Sequence, residues 1–356
     1  MNACAFVVGI DEYPGEARMP PLKGAVADAV DFAEWALDDV GGAVAPEDMY
    51  FWSWPPPAEP PPRLAAHLVA PTAWPVGDPT VGTPDGAAIV QSIFEVMSQV
   101  EARGLTRVFV FLAGHGMEVD RQITAEPPET CFMAGDYRPR FAHGLIPCDA
   151  LQQALLRFGT AEVVLLLDCC RTDINPTLER PWLGWPNEIA DRNEWIAAGR
   201  AARSMQKALE IETAAGTRGA FSHLVTFALR HLRFDDALTS QQLENYVLSR
   251  ISKLVVPPRQ QTPEFEIRPR VPDFVLVAGA PPQPHLSIFI SFSGANQGRN
   301  AYLRDAELHV VAAMEPAPAE WSSLLPLGTY SLEFDGGVGD AVAILHLGPG
   351  DEHVVI

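Results

Sequence analysis

Two apolar runs in this chain end on residues able to do covalent chemistry. "VVLLLDCCRT" (163–172) leads five aliphatic residues into Asp168, Cys169, Cys170 and Arg171, and "RVFVFLAGHG" (107–116) ends on His115 and Gly116. A thiolate is a nucleophile, and imidazole is the side chain whose proton affinity suits acid–base work near neutral pH. A glycine after the histidine lets the backbone turn so that its N–H points where the histidine points. Taken alone, the adjacent cysteines leave three readings open: a nucleophile, a metal or redox pair, or inert core thiols. Zinc favours ligands at C-x2-C spacing with a second pair or histidines nearby, and this chain has no second cysteine pair.

The elements that must position these residues alternate. "ACAFVVGI", "DMYFWSW", "RVFVFLAG" and "AEVVLLLDCC" read as buried strands. "LKGAVADAVDFAEWALDD", "TPDGAAIVQSIFEVMSQVEARG" and "CDALQQALLRFG" carry apolar residues at helical spacing between them. Strands that are apolar throughout belong in parallel sheets covered by helices on both faces, so the order implies a doubly wound α/β domain. Such sheets gather ligands and catalytic groups at the carboxyl ends of their strands, which is where His115 and the cysteine pair fall. Successive side chains at a strand end point to opposite faces, so only one of Cys169 and Cys170 can face His115.

The proline-rich 55–80 reads as a long, stiff, exposed insertion, because proline cannot donate to a sheet. Residues 171–217 read as polar, with little strand character beyond "EWIAAG". "GAFSHLVTFALRHL" and "TSQQLENYVLSRISKL" follow as helices, and "DFVLVAGA" as a last strand. "PPQPH" (281–285) reads as a rigid linker. Beyond it, short strands separated by turn residues predict a small all-β sandwich over 286–356, after an α/β domain over 1–280.

Composition bounds the function. Of 356 residues, 47% are hydrophobic, enough for a substantial core, and the net charge of -20 lacks the basic stripe that nucleic acid requires. The N-terminal apolar stretch has no basic flank and breaks at Asp11 and Glu12, so it reads as a strand and not a signal peptide. No window approaches the ~20 apolar residues of a membrane span. Five cysteines, an odd number in a long chain, suit a reducing cytoplasm.

"FLAGHG" followed by "LLLDCCRT" resembles the caspase and metacaspase clan of cysteine peptidases. "AFVVGIDEYP" with "LKGAVADA" is similar to the first strand and helix of metacaspase-like members, and "RSMQKALE", "GAFSHLVTFAL" and "RQQTPEF" to the small-subunit half of prokaryotic ones. The resemblance covers about residues 1–280 and implies a caspase-like, mostly parallel sheet with helices on both faces. It implies the register Asp-x-Cys, hence Cys170 as nucleophile and Cys169 as a packing residue. It implies His115 as acid–base partner, with the Gly116 and Cys170 N–H groups as oxyanion donors. It also implies a pocket for arginine or lysine lined by Asp28 and Asp168. The arginines of aspartate-selective animal caspases have no counterpart after the first strand. Arg171 and Thr172 stand where metacaspases continue His-Ser-Gly. No acids are matched to a calcium site, so neither a cofactor nor a metal is expected.

The expected function is therefore an Arg/Lys-directed cysteine endopeptidase acting on protein substrates. An activating protease or regulatory protein would be its partner, with no nucleic acid and no membrane. Prokaryotic members of the clan imply a stress or antiviral defence setting. The competing reading is a catalytically silent caspase-like scaffold that binds a partner protein, which loss of His115 or Cys170 would favour. Self-cleavage is expected within 171–218, where Arg171, Arg180, Arg192, Arg200, Arg203 and Arg218 lie.

Overall fold

The computed structural model describes residues 2–16, 19–68, 83–119, 128–138, 143–157, 162–172, 195–213, 216–234, 236–255, 258–279, 285–294, 296–305, 309–326, 328–335, 341–347 and 353–355. The chain divides into two compact units, Met1–Ala280 and Pro281–Ile356.

In the first unit, β1 (Ala3–Ile10) runs into α1 (Ala25–Ala36), then β2 (Met49–Trp54), α2 (Pro62–Leu68), α3 (Gly86–Met97) and β3 (Arg107–Ala113). A side sheet follows from β4 (Gly116–Val119), β5 (Glu129–Arg138) and β6 (His143–Pro147), then α4 (Cys148–Arg157) and β7 (Glu162–Asp168). After β8 (Ile196–Arg200), the hairpin of β9 (Glu210–Thr213) and β10 (Gly216–Gly219) precedes α5 (Ala220–His231). The unit closes with β11 (Ala237–Thr239), α6 (Ser240–Leu254), β12 (Glu264–Arg268) and β13 (Val275–Ala278).

The central sheet has six strands in the order β12-β8-β7-β3-β1-β2. All pairs are parallel except the edge strand β12, which runs antiparallel to β8. Alternation sorts each strand between two cores. Val108, Val110 and Leu112 pack with α3 and α4 on one face; Phe109 and Phe111 meet α1, α5 and α6 on the other. Phe32 of α1 stacks on Phe111 at 4.6 Å and tilts against Trp35. Burying each such ring contributes about 1.5–3 kcal/mol. The chain leaves β1 for β2 on one side and for β3 on the other, so the sheet order reverses between β1 and β3. That is the switch point where α/β sheets open a crevice.

Two expectations need correction. Part of the proline-rich 55–80 is helical: α2 begins at Pro62, where proline's missing N–H costs nothing, and it buries Leu64. The remainder, 69–80, lies outside the described residues. The segment after His115, to which no element was assigned from the sequence, carries the sheet β4-β5-β6. The strand expected at "EWIAAG" is present as β8, but 171–217 also holds β9 and the start of β10, which were not expected. The last strand of the unit, β13, pairs with β11 outside the central sheet.

The second unit is all-β. One sheet joins β14 (His285–Ser291), β17 (Glu320–Pro326) and β20 (His353–Val355). The other joins β15 (Ala301–Arg304), β16 (Val310–Met314), β18 (Gly328–Phe334) and β19 (Ala341–Leu347). Ile288, Ile290, Phe292, Leu303, Leu332 and Phe334 fill the core of this unit. No described helix is long and apolar enough to cross a membrane.

Candidate active site

One pocket is lined by His115, Cys170, Asp28, Asp168 and Glu210, together with Leu22, Ala25, Ala113, Gly114, Ala208, Leu209 and Gly219. It lies past the carboxyl ends of β3 and β7, against the start of α1 and the β9–β10 hairpin. The structure thus brings together four of the five residues singled out in the sequence. The fifth, Gly116, adjoins them as the first residue of β4: a Cβ there would lie 2.7 Å from Cys169 Sγ and 2.8 Å from Cys170 O. Only glycine lets the strand after His115 approach the cysteine backbone this closely.

Strand register separates the two cysteines. Val164 and Leu166 face α1 and α5, and Asp168 follows them to that face, where Ser222 of α5 donates to its Oδ2 from both N (3.0 Å) and Oγ (2.6 Å). Cys169 turns to the opposite core, fully buried, and that burial pushes its thiol far above the ordinary range. Cys170 leaves the strand half-buried in the pocket, its Sγ 3.7 Å from Ala208 O.

His115 is held from two sides. Its backbone N–H donates to Tyr13 Oη at 2.8 Å, and that hydroxyl donates to Met133 O. The ring Nε2 lies 2.8 Å from Pro20 O. A carbonyl can only accept, so in the neutral ring Nε2 carries the hydrogen and Nδ1 is left as the base. Burial lowers the imidazole's proton affinity, against the opposing Pro20 contact and the charge of Glu210. Burial likewise raises the Cys170 thiol, while its contact with Ala208 O acts the other way. Burial thus disfavours the charged form of both thiol and imidazole.

The acids are also burdened by burial. Asp28 Oδ2 accepts from Gly219 N at 2.7 Å, and Arg218 Nε stands 3.8 Å from Oδ1. Desolvation, then the charge of Asp168, lifts the Asp28 carboxyl well above its usual range. Desolvation lifts Asp168 to about 6, against the two Ser222 hydrogen bonds. A Cβ on Gly219 would lie 2.2 Å from Asp168 Oδ2 and 2.8 Å from Asp28 Oδ2. We expect Gly219→Ala to push both carboxylates aside and lower the melting temperature, read by thermal melts beside wild type. An unchanged melt would show that the two carboxylates give way freely.

Sequence reasoning passed over Tyr13, the Pro20 carbonyl, Ser222, Glu210 and the partners of Arg171. Arg171 is clamped between buried Glu118 (3.0 Å) and Glu264, which holds the loop after Cys170 to β4 and to the edge strand. A backbone carbonyl leaves no signal in residue type. Glu210 ends the "RSMQKALE" segment that carries part of the resemblance, where its acid was given no role.

Comparison with known proteins fixes the class. The family model of the caspase domain matches residues 2–211, more than half of the chain. The chain belongs to this peptidase family. Among curated proteins, no sequence matches it. Among solved structures, a structural-genomics target from Geobacter sulfurreducens is similar at 16% identity and a TM-score of 0.43. The match covers 79% of this chain and 95% of that one, and at that score it says nothing about the site.

Proposed function

We propose that this protein is a cysteine endopeptidase cleaving after arginine, and secondarily lysine. The observation that carries the reading is the single pocket shared by a thiol, an imidazole and two buried aspartates. Cys170 Sγ attacks the scissile carbonyl carbon as Nδ1 of His115 takes the thiol proton. The N–H groups of Gly116 and Cys170 stabilise the oxyanion, and the imidazolium then protonates the departing amine. Water cleaves the thioester in the second half-reaction. Because burial disfavours the charged forms of thiol and imidazole, proton transfer accompanies attack instead of preceding it. Pro20 O acts as a positioning group that fixes the ring tautomer. The guanidinium of the substrate pairs with Asp28 and Asp168, whose buried charges it compensates.

As it stands the pocket offers a water-sized space of about 30 Å³. A regulatory protein or an activating protease is proposed as the partner that widens this space for an arginine side chain. By family resemblance the setting is cytoplasmic, in stress or antiviral defence. A panel of fluorogenic peptides with Arg, Lys, Asp or a neutral residue before the scissile bond tests the specificity. A profile peaking at aspartate would refute it, and so would the absence of turnover with any peptide both before and after limited proteolysis, the latter favouring the partner-binding scaffold.

Self-cleavage is narrowed by the described residues. Arg171, Arg200 and Arg218 are each locked in ion pairs, with side chains 12–14% exposed. Arg203 is exposed, and Arg180 and Arg192 lie outside the described residues. We expect intact-mass analysis of wild type to show a cut after Arg180, Arg192 or Arg203 that Cys170→Ala lacks. A full-length, fully active wild type would mean that switching on needs no cut.

A further inference from the structure

Gly114 and His115 are the two residues between the end of β3 and the start of β4, where the central sheet hands the chain to the side sheet. The imidazole of the pocket therefore hangs from a junction, and the junction must be fixed for the ring to hold its aim. Three hydrogen bonds do this, and two of them pass through one hydroxyl. His115 N–H donates to Tyr13 Oη at 2.8 Å, and that hydroxyl donates to Met133 O at 3.2 Å. Met133 N–H in turn donates to His115 O at 3.0 Å.

An amide N–H can only donate and a carbonyl can only accept, so the phenol accepts from one and donates to the other. The bonds close a ring through His115, Tyr13 and Met133, which joins the junction to β5 and to the segment after β1. Tyr13 is 5% exposed, and burial raises the proton affinity of the phenolate, which keeps the donated hydrogen in place. Gly114 makes room for the hydroxyl: a Cβ there would lie 2.8 Å from Tyr13 Oη.

The clamp acts on both sides of His115. In a trans peptide the carbonyl and the N–H point in opposite directions. The bond from Met133 N to His115 O therefore turns the Gly116 N–H away from β5 and leaves it for an oxyanion. The phenol ring, meanwhile, lies against the imidazole, with centroids 5.1 Å apart and planes tilted by 47°. One residue thus anchors the backbone that carries the imidazole and flanks the imidazole itself. Tyr13 does not line the pocket, so its influence passes through its neighbours.

Building on the endopeptidase reading above, we propose that Tyr13 is a positioning residue, whose hydroxyl ties His115 to Met133 so that one clamp aims both the acid–base imidazole and the Gly116 oxyanion donor.

The test is Tyr13→Phe, which keeps the ring and removes the hydroxyl. With the best peptide of the panel, kcat should fall ~10- to 100-fold while KM stays within about twofold, the pattern of lost aim at the reacting atoms. Alkylation of Cys170 by iodoacetamide, followed by mass spectrometry, should slow as well, because the same imidazole takes the thiol proton. Gly114→Ala presses on Oη from the other side and should reproduce the loss in kcat. A Tyr13→Phe enzyme that melts lower yet turns over at the wild-type rate would overturn the proposal and leave the hydroxyl a structural bond. A loss confined to KM would overturn it too. If Tyr13→Phe does not fold, an unchanged kcat in Gly114→Ala overturns the proposal, and so does failure of both variants to fold, judged by thermal melts. A wild type that hydrolyses no peptide before or after limited proteolysis overturns the endopeptidase reading, and this inference with it. An active wild type beside an indifferent Tyr13→Phe overturns the inference alone.

Discussion

Cys170→Ala is expected to lower peptide hydrolysis by ~10⁴-fold or more, because removing the nucleophile of a dyad removes the covalent route altogether. Cys169→Ala, one residue away, should keep most of the activity and instead lose ~1–2 kcal/mol of stability. Its thiol packs in the opposite core beside Cys131 and Cys148 and leaves a small cavity when truncated. Steady-state kinetics and thermal melts on the two variants separate these effects. An inactive Cys169→Ala beside an active Cys170→Ala would invert the assignment.

The second large effect sets activity against stability. Asp168→Asn should cut kcat/KM for arginine peptides by ~10²-fold or more, since losing one partner of a buried charged pair costs about 2–5 kcal/mol. The free acid titrates at about 6, above its unfolded value of 3.8. A raised carboxyl titration favours folding below the unfolded value, and that contribution is lost as pH rises through 6. At neutral pH the ionised Asp168 therefore burdens the empty pocket by up to about 3 kcal/mol. Asp168→Asn should accordingly melt higher than wild type at pH 7.5 and no higher at pH 3. In wild type, arginine turnover should decline as pH falls through 6 and Asp168 takes up a proton, and Asp168→Asn should lack that component. A variant that melts lower at pH 7.5 would show that the ionised carboxylate stabilises the fold through its two hydrogen bonds from Ser222.

The strands carrying His115 and Cys170 were legible because they are apolar end to end, and a parallel sheet with helices on both faces requires that pattern. Helix α3 was legible from the helical spacing of its apolar residues, and Asp85 caps its start by accepting from Ala88 N at 2.9 Å. What escaped was held by pairing between distant segments. β9 and β10 are short, half-exposed and without alternation, yet they form the wall opposite α1. β12 has charged residues at Glu264, Glu266 and Arg268 that conceal an edge strand, a common defence of an exposed sheet margin. Arg171 read as a departure from the metacaspase pattern, whereas its two acidic partners lie far away in sequence.

The parallel pairing of β7 with β8 bears on what a chain break would do. Val163 to Leu167 align with Ile196 to Arg200, Ala201 N donates to Leu167 O at 2.8 Å, and Arg171 exchanges backbone hydrogen bonds with Met205 and Gln206. The nucleophile comes from upstream of residues 173–194 and the pocket wall from downstream, and the β7–β8 pairing joins the two. A nick there would leave a non-covalent heterodimer, two bands under denaturing conditions and one particle under native ones. The same seam makes the molecule a candidate for a split reporter, in which two inert polypeptides recover peptidase activity only when something brings them together.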